Sequence, residues 1–265
     1  MNVTRVERIR AVVTRAKQNI QDFQLGLQSF YDSKPHEVIA KEDAHTGERL
    51  YRLVKVDPVP FALTTIAADV IQNLRSPLDH LAFQLVLDAN GGRRPTGKDV
   101  VYYPITSAAS EYKALRARNI MGVRQEVIDA IDATEPYPGG KGHALWQLNQ
   151  LNKIPKHQDL LSTATVEDGV DFVALIRSVD NDPWLERFEA LPPFFIRAAD
   201  TPPLNVGDVL ARVPREAQMT RERHFSFAVT FHTLGVIERE PALKFLQDTA
   251  NLVDDIVSTI GPLLA

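Results

Sequence analysis

The sequence predicts an α+β protein. The expected fold is a helical bundle core with a β-hairpin near the N-terminus and a C-terminal antiparallel sheet closed by a final helix. Three observations carry that expectation. Long segments repeat apolar residues at spacings of three and four, the period of one helix face. Two strand-like runs flank a Thr-Gly pair at 46–47. Beyond residue 164 the chain breaks into short β-rich runs separated by Asn-Asp-Pro, Pro-Pro and Val-Gly, before one last helical stretch.

Residues 3–30 form the first expected helix, with Val6, Ile9, Val13, Ala16, Ile20, Phe23 and Leu27 on one face and Lys34-Pro35 at its end. Strands are expected over 36–43 and 48–56, where Tyr51, Leu53 and Val54 suit a pleated surface. Pro58 and Pro60 reset the chain before a central helix from about Phe61 to Leu87, whose stripe is Ile71, Leu74, Leu78, Leu81 and Leu85. Asn90-Gly91-Gly92 ends it. Val100–Ile105 is expected to be a short strand or an extended segment, and helices follow near 107–118 and 123–133. After the Glu135–Gly140 loop, a polar helix is expected over 143–163, broken or kinked at Pro155. Strand-like runs lie at 170–179, 194–198, 208–213 and 224–232, with an irregular stretch at 184–205. The last run alternates Phe225, Phe227, Val229 and Phe231 with His224, Ser226, Thr230 and His232, the pattern of a sheet with one buried face. A helix over 241–260 begins at Pro241 and turns Leu246, Val253, Ile256 and Ile260 inward. The expected organisation is a bundle with hairpin over 1–163, a β-rich subdomain over 164–239 and a C-terminal helix over 240–265 packing on the core.

Composition narrows the function classes. The 265 residues are 44% hydrophobic and 24% charged, enough for a sizeable core. A net charge of −4 argues against binding nucleic acid by bulk charge, though not against a local basic patch. With no cysteine, disulfides and thiolate metal sites are excluded. The N-terminus alternates charge rather than presenting the apolar core of a signal peptide, and no run approaches the ~18 apolar residues of a membrane span. A cytoplasmic protein with no membrane partner is expected.

The chemistry-bearing residues fall in two clusters. Arg75 and His80 sit in the central helix, with Asn73 and Asp79 beside them. An imidazole can move a proton near neutral pH while a guanidinium holds phosphate oxygens, so the pair suits phosphodiester chemistry. Arg75 and Asp79 are also four apart, a spacing at which they can pair with each other. An Arg-x4-His match arises by chance roughly once in two chains of this composition, so spacing alone leaves a structural role open. Pro77, between the two residues, predicts a bend or a fresh helix start at Ser76. The second cluster is Asn149, Asn152, Lys153, Lys156 and His157. The first four form one polar stripe and His157 flanks it. No acidic residue occurs from Pro136 to Gln158 or from 112 to 125, two basic windows that suit an anionic ligand or a solvated face. The histidines show no metal-ligand spacing, so neither metal nor cofactor is expected.

Asn73-Leu-Arg-Ser-Pro-Leu-Asp-His80 together with Leu148-Asn-Gln-Leu-Asn-Lys-Ile-Pro-Lys-His157 resembles a widespread family of bacterial and phage proteins that carries no established activity. That family combines an N-terminal helix, a hairpin with a Thr-Gly turn, an Asn-Leu-Arg-Ser-x-Leu-Asp-His helix and a Leu-Asn-x-x-Asp-Lys-His-Arg helix. The resemblance covers most of residues 1–163. The chain departs from it at Pro77, where small residues are usual, at Pro155, where Asp is usual, and at Gln158, where Arg is usual. The central helix also resembles HEPN-type domains, helical bundles that include metal-independent ribonucleases with an Arg-x4–6-His signature. That likeness implies His80 as acid/base, Arg75 as phosphate binder, RNA as partner and a homodimer that brings two motifs together. Two other expectations stand beside it. One is a non-enzymatic interaction module whose Arg/Asp/His and Asn/Lys/His motifs form a buried polar network. The other is a binder of a small anionic ligand.

Overall fold

The structure, a computed structural model, describes residues 4–95, 101–154, 161–165, 204–213, 227–233 and 235–264. Six helices are described: α1 (Arg5–Asp32), α2 (Phe61–Ala89), α3 (Ala109–Asn119), α4 (Gln125–Asp132), α5 (His143–Leu151) and α6 (Ala242–Ile260), the last followed by a 3₁₀ turn at Gly261–Leu263. Six strands accompany them: β1 (His36–Glu42), β2 (Arg49–Val56), β3 (Leu161–Thr165), β4 (Val209–Val213), β5 (Phe227–Thr233) and β6 (Ile237–Pro241). The fold class is α+β, as the periodicities require. The expected strands at 170–179 and 194–198, and most of 184–205, lie outside the described residues.

Helix α1 starts at a capping box. The Thr4 hydroxyl accepts from the Glu7 amide at 3.2 Å and the Glu7 carboxylate accepts from the Thr4 amide at 2.6 Å. Its stripe from Ile9 to Phe30 is buried against α2. The two helices run antiparallel: Arg5 pairs with Asp88 at one end, while Gly26 faces Leu63 at the other. A Cβ on Gly26 would lie 2.6 Å from Leu63 Cδ2, so this glycine permits the close approach. Lys17 pairs with Asp254, tying α1 to α6.

Helix α2 runs unbroken through Pro77, where a bend or a new start was expected. The stripe of Ile71, Leu74, Leu78, Leu81 and Leu85 is almost wholly buried, and Pro77 is buried with it. Burial on the core side holds the helix together at a residue that cannot donate to the Asn73 carbonyl. An interior proline costs about 3 kcal/mol against alanine. Removing two buried methylenes costs about 1.6 kcal/mol. Pro77→Ala is therefore expected to raise the unfolding free energy by about 1 kcal/mol in a urea melt. A decrease would mean that the ring's packing outweighs the missing hydrogen bond.

The strands form two three-stranded antiparallel sheets, ordered β1-β2-β4 and β3-β5-β6. The hairpin turns through Gly47, at φ 68°. β2 of the N-terminal half pairs with β4 beyond residue 163, and β3, which spans that residue, pairs with β5. The helix expected over 143–163 instead ends at Leu151, and 161–165 is strand β3. Alternation in β5 buries Val229 and Phe231, with Phe231 set edge-on to Phe245 of α6 at 5.4 Å. The opposite face is not simply solvated. Thr230 is 1% exposed, its hydroxyl satisfied by the Ser162 carbonyl at 3.3 Å. One apolar cluster joins α1, α2, α4, α5 and α6 with residues of β3, β5 and β6, and a small second one holds Leu53, Leu204 and Leu210. No helix among the described residues is long and apolar enough to cross a membrane.

Candidate functional site

Arg75 lies at the middle of α2, on the flank of its apolar stripe, and is 7% exposed. A guanidinium taken from water needs partners for its N–H groups, because burying it unpaired costs several kcal/mol. Three separate parts of the chain supply them. Nε donates to Asn149 Oδ1 of α5 at 3.1 Å. One terminal nitrogen donates to Asp79 Oδ1, one turn along α2, at 2.5 Å. The other reaches the Tyr103 carbonyl at 3.5 Å.

The segment 101–107 is neither helix nor strand, and it closes the arrangement. The Tyr103 amide donates to the same Asp79 oxygen at 3.0 Å, so Asp79 joins helix and segment as Arg75 does. The Tyr103 ring is 1% exposed and its hydroxyl lies 3.1 Å from Thr134 Oγ1. Thr134 already donates to the Ile131 carbonyl at 2.7 Å, so Tyr103 is the donor in that contact. Further along, the Ser107 hydroxyl accepts from Trp146 Nε1 at 3.2 Å and Gln150 Nε2 at 3.3 Å, both from α5. Segment 101–107 is thus a strap across α2 and α5, with the Arg75–Asn149 contact as a further tie between the helices.

Burial pushes the Asp79 carboxyl above its ordinary value. The Arg75 charge, the Tyr103 amide and the His80 charge pull it back part of the way. Burial also raises the Tyr103 hydroxyl well beyond the ordinary tyrosine range, so it stays protonated as a donor.

The other expected site residues are dispersed. His80 is exposed and makes no hydrogen bond or ion pair among the described residues. Asn73 is half-buried. Asn152 caps the C-terminus of α5 and is exposed, as is Lys153, whose ammonium donates to Gln150 Oε1 at 3.4 Å. Lys156 and His157 lie outside the described residues. The fold therefore unites Arg75, Asp79 and Asn149 and leaves His80 on the outside. Tyr103, Thr134 and Ser107 were not among the expected site residues. Two of the strap's contacts use the backbone of Tyr103, which leaves no mark in the pattern of side chains.

Three cations of the basic windows meet acids or a carbonyl from elsewhere in the chain. Arg116 lies 3.2 Å from Asp132, which also accepts from the Tyr112 hydroxyl at 2.9 Å. Lys141 pairs with Glu135, and Arg124 donates to the Leu263 carbonyl at 2.5 Å. No group of three or more His, Asp or Glu residues among the described residues is placed to hold a metal ion. No family model, curated protein or solved structure matches the chain. What the fold and site define is a class: an α+β protein in which the arginine of the central helix is buried and paired within the chain.

Proposed function

We propose that the chain is a non-enzymatic interaction module in which Arg75, Asp79, Asn149 and the Tyr103 backbone form an internal brace. One observation carries this reading: all three guanidinium nitrogens of Arg75 are engaged inside the protein, on a side chain 7% exposed. A phosphate-binding arginine needs its fork free to accept two anionic oxygens. Phosphate at Arg75 would have to displace both a carboxylate and an amide oxygen that already satisfy it. The same pairing withdraws Arg75 from a small anionic ligand. The brace fixes α2 against α5, while His80 beside Asp79 and Tyr102 beside Tyr103 are exposed.

The ribonuclease reading keeps one observation in its favour. His80 is exposed, and Tyr102, 52% exposed, offers a ring on which a base could stack. A cleavage assay separates the two. Full-length protein is incubated with fluorescently labelled single-stranded RNA in EDTA, beside the His80→Ala variant. The interaction module leaves the RNA intact in both cases, and both proteins melt at nearly the same temperature because the exposed His80 side chain makes no hydrogen bond or ion pair among the described residues. Metal-independent cleavage by the wild type that disappears in His80→Ala would overturn the module and establish the catalytic reading.

A further inference from the structure

His36 is the first residue of β1, and its ring is half-buried at the seam between the two sheets. It stacks on Phe227 of β5 with centroids 4.2 Å apart and planes 16° from parallel. The edge of Phe30 from α1 closes on it at 6.1 Å and 84°. Its Nε2 is buried without a hydrogen-bond partner among the described residues. Beside it, the Tyr31 hydroxyl accepts from the Val229 amide at 2.8 Å, on a part of β5 that β6 does not reach. At this seam the His36 ring joins the hairpin to β5, the Tyr31 hydroxyl ties α1 to the same strand, and Val38, Val56 and Phe227 pack on the small Leu53, Leu204 and Leu210 cluster beside them.

We propose that His36 is a proton-operated latch, whose neutral ring clamps the N-terminal hairpin onto β5 and whose protonated ring releases it. The neutral ring is an aromatic plate and suits the Phe227 face. Protonation puts a second N–H on the ring and spreads a positive charge over both nitrogens, one of which faces no acceptor. Leaving a buried charged donor unsatisfied costs more than the ~0.5–1 kcal/mol that a cation gains over an aromatic face near the surface.

The charged groups facing His36 do not reverse the sign. Asp57, just beyond β2, favours the imidazolium, but Lys55 of β2 opposes it, and these two are paired with each other at 2.8 Å. From α1 the neighbouring ionisable group is Tyr31, neutral near pH 7 because burial raises its hydroxyl. The net direction for His36 is below the ordinary histidine value of 6.5, with burial the largest cause. The unfolded chain therefore takes up the proton first as pH falls below 6.5. Docking strength is fully present above that value and is lost as pH drops through the lower folded value.

Hydrogen–deuterium exchange on the full chain, corrected for intrinsic exchange rates, tests the latch. Between pH 7.5 and 5.5, protection in 36–42 and 227–233 of the wild type is expected to fall severalfold, up to about tenfold for each pH unit below the transition. Protection in 61–89 stays level. In His36→Phe, which keeps a ring for the sandwich and cannot protonate, hairpin protection stays level too. An equal fall in wild type and His36→Phe, or no fall in the wild type, overturns the latch. If His36→Phe does not fold, NMR titration of the wild-type imidazole decides. A midpoint at or above 6.5 rejects the proposal, and one below it, moving together with the Phe227 ring resonances, supports it.

Discussion

Arg75→Ala is expected to lower the unfolding free energy by about 3–5 kcal/mol, the usual cost of removing one partner from a buried ion pair. The loss has identifiable sources. Asp79 keeps its carboxylate, with only the Tyr103 amide left as a partner, in surroundings that already push it toward the neutral form. Asn149 Oδ1 loses its donor, and α5 loses a tie to α2. For a chain this long the melting temperature should drop by roughly 6–20 °C, taking about 2–4 °C per kcal/mol. The loss does not mean that the ion pair is a strong net stabiliser. Replacing both partners by apolar residues of similar size, Arg75→Met with Asp79→Leu, is expected to restore much of the stability, because no uncompensated charge then remains inside. The double variant should be more stable than either single one. If Arg75→Ala melts within a degree of the wild type while the chain stays folded, the brace contributes nothing and Arg75 is free for another task.

This brace shows which part of the site could be read from the chain alone. Arg75 and Asp79 are four apart on one helix, so their pairing follows from helix geometry once α2 is recognised. Asn149 is 74 positions away from Arg75, and no periodicity reports a contact between different elements. The Tyr103 contacts are harder still, because the groups that matter are a backbone N–H and C=O that every residue type but proline carries. His80 shows the opposite error. Its position suggests partnership with Arg75, yet five residues is more than one turn and brings it round to a different part of the helix surface, which here is exposed.

The same distinction holds for the fold. Helices α1, α2 and α6 were legible because a stripe of three-and-four spacing has one reading when it runs for five turns or more. The nine residues of α5 followed by Asn152-Lys153-Ile154-Pro155 could be prolonged by eye to residue 163, since apolar residues continue beyond the break. The structure ends the helix before the proline and turns Leu161–Thr165 into β3. Sheet membership was not legible. β4 reads as a short strand of the C-terminal half, but it completes the sheet of the N-terminal hairpin, with Tyr51 opposite Ala211. Strand pairing depends on which edges meet in space, and the alternation of one strand does not name its partner.

Gly142→Ala is the other substitution expected to have a large effect, about 3 kcal/mol, through overpacking. An added Cβ would lie 2.4 Å from the Thr134 carbonyl oxygen, 3.0 Å from Pro136 Cα and 3.2 Å from the Glu135 carbonyl oxygen. All three are backbone atoms, so no side-chain rotation relieves the clash. They belong to a turn folded back on itself: Gly142 donates to the Glu135 carbonyl at 3.2 Å, Tyr137 donates to the same oxygen at 2.8 Å, and Glu135 sits at φ 45°. Moving that turn disturbs both ends of the brace, because Thr134 receives the Tyr103 hydroxyl and Gly142 starts the helix that carries Asn149. Gly139, three residues earlier, makes the comparison. It has φ +79° with nothing within 4 Å of an added Cβ, so Gly139→Ala meets only the left-handed backbone cost of about 1–2 kcal/mol. Urea melts of the two variants are expected to rank Gly142→Ala below Gly139→Ala in stability. The cost of Gly142→Ala should shrink in an Arg75→Met/Asp79→Leu background, where the brace no longer has charges to keep aligned. Equal costs for the two glycines would mean that the turn relaxes freely around a methyl group, and the brace would then owe its geometry to α2 and the strap rather than to the start of α5.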